Sequence, residues 1–365
     1  MKENLREGFT TGSAAAAAAK AGTAFLLGEG ENKNVDIPLP GKRRLKIPVS
    51  AYQPLEPNKV RVTVTKDAGD DPDVTNRAEI ECFVELFQDK RDGKIVLIGG
   101  EGVGIVTLPG LAVAVGEAAI NPGPRKQIQE AVQEALAEAG SSAAVTVTVQ
   151  VPRGRDLARK TMNPRLGIEG GISILGTRGT VRPFSHEAYA ASISLALDVA
   201  KAQGAKVAAL STGRATESFL RKDFPDLTDR AFVPIADYFA FSLEQAAKKG
   251  FKDIIVGCFF GKLVKMAQGA GYTHAKQSVI DFDTLADWCL SAGLTEEKIR
   301  AVRGANTARQ ALEIILKEPD PDPVLCAVTK KALESAQGFA GSGPRIEYHV
   351  YGFDGAALCR VQGGN

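Results

Sequence analysis

Three carboxylates crowd a single turn: Asp70, Asp71 and Asp73 stand within four residues, around Pro72. Neighbours this close repel each other, which raises at least one pKa unless cations compensate. The set suits general acid–base catalysis or the orientation of polar groups on a ligand. It suits equally well an Asx-type turn that ends a strand, which Asp-Pro often marks. A second feature is basic. Arg153, Arg155, Arg159, Lys160, Arg165, Arg178 and Arg182 face only Asp156 and Glu169 over that stretch. Arginine grips a carboxylate through two parallel hydrogen bonds, so the run suits a ligand with several acidic arms. A solvated face is the plainer alternative. The glycines of GIEGGISILGTRG favour close approach of backbone to a ligand. Thr10 and Thr11 open an alanine-rich helix, whose free N–H groups and hydroxyls could hold an anion or simply cap the helix. His274, in GYTHAK, is a lone histidine and a secondary catalytic candidate.

Other chemistries are excluded or weak. The five cysteines are scattered, odd in number and without CxxC spacing, and no two of the three histidines stand at ligand spacing. Neither a disulfide framework nor a protein-held metal is expected. GGEGVG at 99–104 follows a strand as dinucleotide-type glycine turns do. The Pro- and Gly-rich sequence after it does not open a helix, so a tight loop is the better reading. GCFFGKL at 257–263 fails as a phosphate loop on spacing, and Leu263 stands where Ser or Thr should hold magnesium. The net charge of +2 gives no general case for nucleic acid, and no apolar run reaches the ~18 residues of a membrane span. The Ala14–Ala19 run is only weakly apolar and is interrupted by Lys20, so no signal peptide is expected and a cytoplasmic protein is.

These residues must be positioned by two domains, the prior for 365 residues. Residues 12–28 read as a helix that stops at Gly28. Strand-like runs follow (VDIPL, RLKIPV, KVRVTV, AEIECFVELF, KIVLIGG), then an amphipathic helix at 124–139 and the strand AAVTVTVQV. The first domain, 1–152, is therefore expected to be α+β. Beyond Pro152, the apolar runs GISILGT, AKVAALST, FVPIAD and KDIIVGCF alternate with helical segments. That pattern predicts an α/β domain over 153–365 with a mostly parallel, Rossmann-like sheet, closed by the hairpin RIEYHVYGFDGAALCRV.

Five segments in order carry a resemblance over nearly the whole chain. They are LREGFTTGSAAAAAAKA (5–21), KDAGDDPDVT (66–75), GEGVGIVTLPGLAVAVGEAAINPGPRKQI (100–128), the block 151–185 and GKLVKMAQGAGYTHAKQ (261–277). The sequence resembles the CbiD family, the cobalt-precorrin-5B C(1)-methyltransferases. In that family a small residue and a cysteine follow the opening TTG; here Ser13-Ala14 stands instead, so no thiol at that point is essential. The resemblance implies methyl transfer from S-adenosylmethionine to C-1 of a cobalt corrin precursor, with cobalt present only as part of the substrate. It also implies the neighbouring cobalamin-pathway enzymes as partners. On this reading Asp70, Asp71, Asp73 and His274 are the catalytic candidates, and Thr10, Thr11, Arg153, Arg165, Arg178 and Arg182 meet the macrocycle. Ligands of open α/β sheets lie outside the carboxyl ends of the strands. Gly176, Thr177, Ser211, Gly213, Asp237 and Gly257 are thus expected to hold the cofactor, with the macrocycle in a cleft between the domains. The other classes in contention are a non-catalytic tetrapyrrole carrier and a small-molecule kinase.

Overall fold

Strand β1 (Gly8–Phe9) leads into helix α1 (Thr11–Ala24) in the computed structural model, which describes residues 5–89 and 93–363; counts and absences below refer to these. Thr10 caps the helix, its hydroxyl accepting the Ser13 N–H at 3.1 Å. Every residue of α1 is buried, and alanine makes that possible because it lets neighbours approach from all sides. Lys20 is the exception in chemistry: its ammonium reaches Glu134 and Glu138 at 2.9 and 3.1 Å. The helix runs out through one π turn, Phe25–Glu29, and is broken by the left-handed Gly28.

The first unit, Met1–Ser185, wraps sheets and loops around this helix. Strands β2 (Asn34–Leu39) and β3 (Arg43–Pro48) form a hairpin. The main sheet contains β4 (Ala51–Glu56), β5 (Lys59–Thr65), β6 (Glu79–Phe87) and β7 (Ile95–Gly99). After the short β8 (Ile105–Val106) and helix α2 (Pro122–Glu138), β9 (Ala144–Gln150) completes it in the order β4-β5-β6-β9-β7. Only the β7–β9 pairing is parallel. Val60, Val62 and Val64 alternate into the core on β5, as do Ile80, Cys82, Val84 and Leu86 on β6, and they share one apolar cluster with α1.

Helix α3 (Gly154–Ala158), β10 (Ile168–Glu169) and β11 (Thr180–Val181) belong to this unit as well. β10 pairs with β8 and β11 with β1, both antiparallel. The division of the chain therefore falls at Ser185, later than the Pro152 boundary expected from composition. GISILGT does not join a parallel sheet. Its Ile172 and Ile174 bridge to Val103 and Ile120 and are buried in the first core. A short apolar run reads the same in either setting, because periodicity cannot show which sheet it feeds.

The second unit, His186–Asn365, is α/β. Its elements run α4 (His186–Ala202), β12 (Val207–Ser211), α5 (Arg214–Asp223), β13 (Phe232–Pro234), α6 (Phe239–Lys248), β14 (Asp253–Phe259) and α7 (Phe260–Ala267). Four helices follow, α8 (Phe282–Ser291), α9 (Glu296–Arg303), α10 (Ala308–Ile315) and α11 (Asp322–Ala340), before the hairpin β15 (Arg345–Tyr351) and β16 (Ala357–Gly363). The sheet order is β13-β12-β14-β15-β16, with three parallel pairings and an antiparallel last one, so the sheet is mixed. β12 and β14 lie buried between helices, which is why they read as unbroken apolar runs. The last hairpin turns at Gly352–Ala356, where Asp354 accepts the Ala356 N–H and Gly355 is left-handed. No helix is long and apolar enough to cross a membrane.

Candidate functional site

The acidic turn folds back on β1. Asp70 accepts the Arg6 backbone N–H at 2.6 Å, and Asp71 accepts that of Phe184 at 2.9 Å. Asp73 meets the buried ammonium of Lys66 at 2.6 Å and also accepts from the Thr75 N–H and hydroxyl, each at 2.7 Å. Burial works to raise the Asp73 carboxyl, but the charge and hydrogen bond of Lys66, with those of Thr75, outweigh it and hold it below the usual carboxylate range. The anticipated repulsion is thus relieved by three separate sets of partners. Asp67, just before the turn, is held low by its paired bonds with the Arg6 guanidinium.

The threonine pair is clasped by the segment 173–179. The Gly12 N–H donates to the Leu175 carbonyl at 3.1 Å, and the Leu175 N–H donates to Thr11 Oγ1 at 2.9 Å. The Thr10 N–H and the Ser13 hydroxyl both donate to the Gly179 carbonyl, at 3.1 and 2.8 Å. Thr10 and Thr11 are buried, and the Gly12 and Ser13 N–H groups, expected to meet an anion, meet the Leu175 carbonyl and the Thr10 hydroxyl instead. Gly176 lies in this clasp, where a Cβ would stand 2.4 Å from Thr10 Oγ1. Gly176 and Thr177 therefore belong to the first unit and not to the carboxyl ends of the parallel strands, where they were expected.

The basic run is divided. Arg153 caps α3 on a segment whose Gly154 and Gly171 press against the Gly102 backbone, each too tightly for a Cβ. This explains GGEGVG as a packing loop, with Gly102 left-handed against the Val151 carbonyl. Arg165 sits in a 3₁₀ turn, Asn163–Leu166. Arg178 and Arg182 flank β11: the Arg178 carbonyl accepts from the Arg43 guanidinium at 3.1 Å, and Arg182 pairs with Glu7 at 2.9 Å. Arg153, Arg178 and Arg182 are exposed, and Arg165 is half-buried.

The carboxyl ends of β12, β13 and β14 gather a different set. Ser211 is fully buried and its hydroxyl has no hydrogen-bond partner among the described residues. The Thr212 N–H and hydroxyl both donate to the Gly257 carbonyl, at 3.1 and 3.2 Å. Gly213 is exposed, with open space where a Cβ would stand. Gly257, expected to touch the cofactor, instead faces Leu220, 2.6 Å from where its Cβ would be. It is glycine so that α5 can pack on the sheet. Asp237 Oδ1 takes the Thr273 hydroxyl at 3.0 Å and the Lys262 ammonium at 3.2 Å. Lys262 also donates to the Ala236 and Thr212 carbonyls. Lys265 donates to the Thr273 carbonyl at 3.0 Å, and burial, aided by the charge of Lys262, lowers its pKa despite Asp237.

Aromatic rings stand beside this cluster. Tyr189 stacks on Tyr238 at 5.0 Å, Tyr238 meets Tyr272 edge-on at 5.0 Å, and the Tyr238 hydroxyl bonds His186 Nδ1 at 3.0 Å. Burial, with the neighbouring tyrosines and Asp237, pushes the Tyr238 phenol well above its ordinary pKa. His274 stacks on Tyr272, and its Nδ1 accepts the Lys276 N–H at 3.3 Å, closing its own turn. Asp237 and Ser211 are thus brought together with side chains that are scattered in sequence.

The CbiD profile matches residues 1–183, and that of the CbiD C-terminal domain matches 272–362. The chain belongs to the CbiD family. It is 48% identical to the cobalt-precorrin-5B C(1)-methyltransferase of Nitratidesulfovibrio vulgaris over 97% of this chain and 92% of that one. The enzymes of the same name from Geobacillus kaustophilus and Thermus thermophilus are each 41% identical, over 98% and 97% of this chain and 95% and 93% of theirs. Among solved structures, the cobalamin biosynthesis protein (cbiD) of Archaeoglobus fulgidus is 30% identical, covering 70% of this chain and 78% of that one, with a TM-score of 0.39. In this CbiD-family chain, Lys262, Lys265, Tyr238, Tyr272 and Thr273 escaped the sequence reading. Lys262 was legible only as a failed phosphate loop, and the tyrosines follow no motif spacing.

Proposed function

We propose that the chain methylates C-1 of cobalt-precorrin-5B with S-adenosylmethionine, giving cobalt-precorrin-6A on the oxygen-independent route to cobalamin. The observation that carries this reading is kinship, end to end, with several methyltransferases of that name at 40–48% identity. The enzyme would work in the cytoplasm, where neighbouring pathway enzymes supply and take its macrocycle. Cobalt enters as part of that substrate.

The adenosyl group is assigned to the carboxyl ends of β12 and β13. The chain passes from β12 to β13 on one side and then to β14 on the other, so the order reverses beside β12, and open α/β sheets take ligands near such a reversal. Three features fit such a group: the unpaired Ser211 hydroxyl, the open face of Gly213, and an Asp237 whose protein bonds both fall on Oδ1. The cofactor supplies an activated methyl on a sulfonium, so the protein's work is alignment and exclusion of water. The exposed guanidiniums of Arg153, Arg178 and Arg182, with Arg165, are assigned to the macrocycle's carboxylate arms. Asp70 and Asp71 remain the proton-handling candidates. Asp73, held low by Lys66, is too weak a base, and His274 is assigned a place in the aromatic wall.

The test is anaerobic incubation of the protein with cobalt-precorrin-5B and methyl-labelled S-adenosylmethionine. Mass spectrometry should find one labelled methyl on the macrocycle and an equal amount of S-adenosylhomocysteine. Macrocycle bound but unmethylated, with the cofactor intact, would indicate a carrier instead.

A further inference from the structure

We propose that Lys262 positions the loops of the adenosyl site and, by spending its charge there, makes that site select a phosphate-free nucleoside over a nucleoside phosphate. This rests on the adenosyl assignment made above. Lys262 is the third residue of α7, within the first turn, where the helix's own N–H groups already concentrate positive charge. A cation is disfavoured there unless other groups compensate. The compensation comes from two other strand ends. The ammonium donates to the Ala236 carbonyl at 2.7 Å and to the Thr212 carbonyl at 3.0 Å, and it meets Asp237 Oδ1 at 3.2 Å. An ammonium has three N–H groups, so all are in use. One side chain at the β14–α7 junction therefore ties the ends of β12 and β13 together.

Two further observations mark what it holds. Ala236 has φ 48°, left-handed backbone that a residue with a Cβ adopts only under constraint, and its carbonyl makes the shortest of the three contacts. Ser211, immediately before Thr212, buries a hydroxyl without a partner. Such a hydroxyl is costly unless a ligand satisfies it. In a true phosphate loop, whose spacing this junction lacks, the lysine ammonium is free for phosphate. Here a phosphate would have to displace two carbonyls and would then face the Asp237 carboxylate. The polar groups left for a ligand are a hydroxyl, backbone and a carboxylate, which suit the hydroxyls and amine of a nucleoside.

Calorimetry on the wild-type protein should show S-adenosylhomocysteine and adenosine binding, with AMP and ATP weaker by about a hundredfold. Lys262→Met should weaken S-adenosylhomocysteine by roughly tenfold or more and raise KM for S-adenosylmethionine alike, leaving KM for the macrocycle within about twofold. Comparison of Asp237→Asn with Lys262→Met/Asp237→Asn separates positioning from neutralisation: the double variant should bind clearly more weakly than Asp237→Asn alone, whereas equal affinity in the two would make Lys262 a mere counter-charge and overturn the proposal. Should Lys262→Met fail to fold, the wild-type comparison decides, and AMP binding as tightly as adenosine sinks the idea. If S-adenosylhomocysteine binds wild type and Lys262→Met equally, the Lys262 proposal fails alone. If wild type binds neither S-adenosylhomocysteine nor adenosine, the adenosyl assignment fails and takes this proposal with it.

Discussion

Lys66 is 2% exposed, and Asp73 is its ionic partner. Taking one member from a buried pair leaves an uncompensated charge, which costs about 3–5 kcal/mol. Asp73→Asn should therefore destabilise the first unit by about 3 kcal/mol, since the Asp73 side chain is itself a quarter exposed. Asp70→Asn and Asp71→Asn keep an acceptor for one backbone N–H each and should cost roughly 1 kcal/mol or less. Urea denaturation at neutral pH checks the order, and equal losses in all three would remove the ion pair as the anchor of the turn. The pH dependence has a definite sign. The folded Asp73 carboxyl is held low, so its contribution is complete above the unfolded carboxylate pKa of about 4 and is lost as pH falls below it. Wild type should lose stability over that acid range, and Asp73→Asn should lose less. The three aspartates look alike in sequence, and only the position of Lys66 separates the ion-paired one from the two that accept a single backbone N–H each.

Helix α1 shows what small residues do at the scale of an element. Gly22 lies near its end, and a Cβ there would stand 2.6 Å from Val84 Cγ2 on the buried strand β6. Gly22→Ala gains about 1 kcal/mol of helix propensity but must displace a β-branched side chain that has nowhere to go, at roughly 1–3 kcal/mol or more. Packing should win, with a net loss of about 1–2 kcal/mol by urea denaturation. Gly338, in α11, has open space at the same position, so Gly338→Ala should stabilise by about 0.4–1 kcal/mol. Stabilisation by both would mean that α1 is not tightly packed on β6. Helices of this kind were legible beforehand, since caps, Pro at entry and Gly at exit are local signals. Strands β5, β6 and β9 were legible from alternation, and β12 and β14 from unbroken apolar runs. Short pieces such as β8, β10 and β11 were not, because two-residue pairings depend on where distant chain passes.

For the whole molecule, composition indicated two units but misplaced their division, because the segment 153–185 is held in the first unit by β8, β1 and the clasp on α1 rather than by any local signal. The site was legible in part for the same reason. Ser211 ends β12, and Gly213 and Asp237 follow β12 and β13 closely, positions that the apolar runs mark in sequence, whereas Lys262 and the tyrosines are brought beside them only by the sheet order. Charge at this scale makes a separate prediction. The chain carries +2 overall, too little for a long-range field, so any strong salt dependence of binding must arise from local pairing. If the macrocycle's carboxylates meet Arg178 and Arg182, its affinity should fall steeply as salt shortens the screening length to ~10 Å at 0.1 M. S-adenosylhomocysteine, bearing no net charge, should bind almost equally at low and high salt. Arg178→Gln should weaken the macrocycle by roughly 1.5–3 kcal/mol, the worth of a charged hydrogen bond. Arg182→Gln should cost no more than this range, because Arg182 must first release Glu7, its partner at 2.9 Å. Titration of each variant at two ionic strengths measures all of this. A macrocycle affinity that ignores both salt and these substitutions would leave 153–182 a solvated face and send the acidic arms elsewhere.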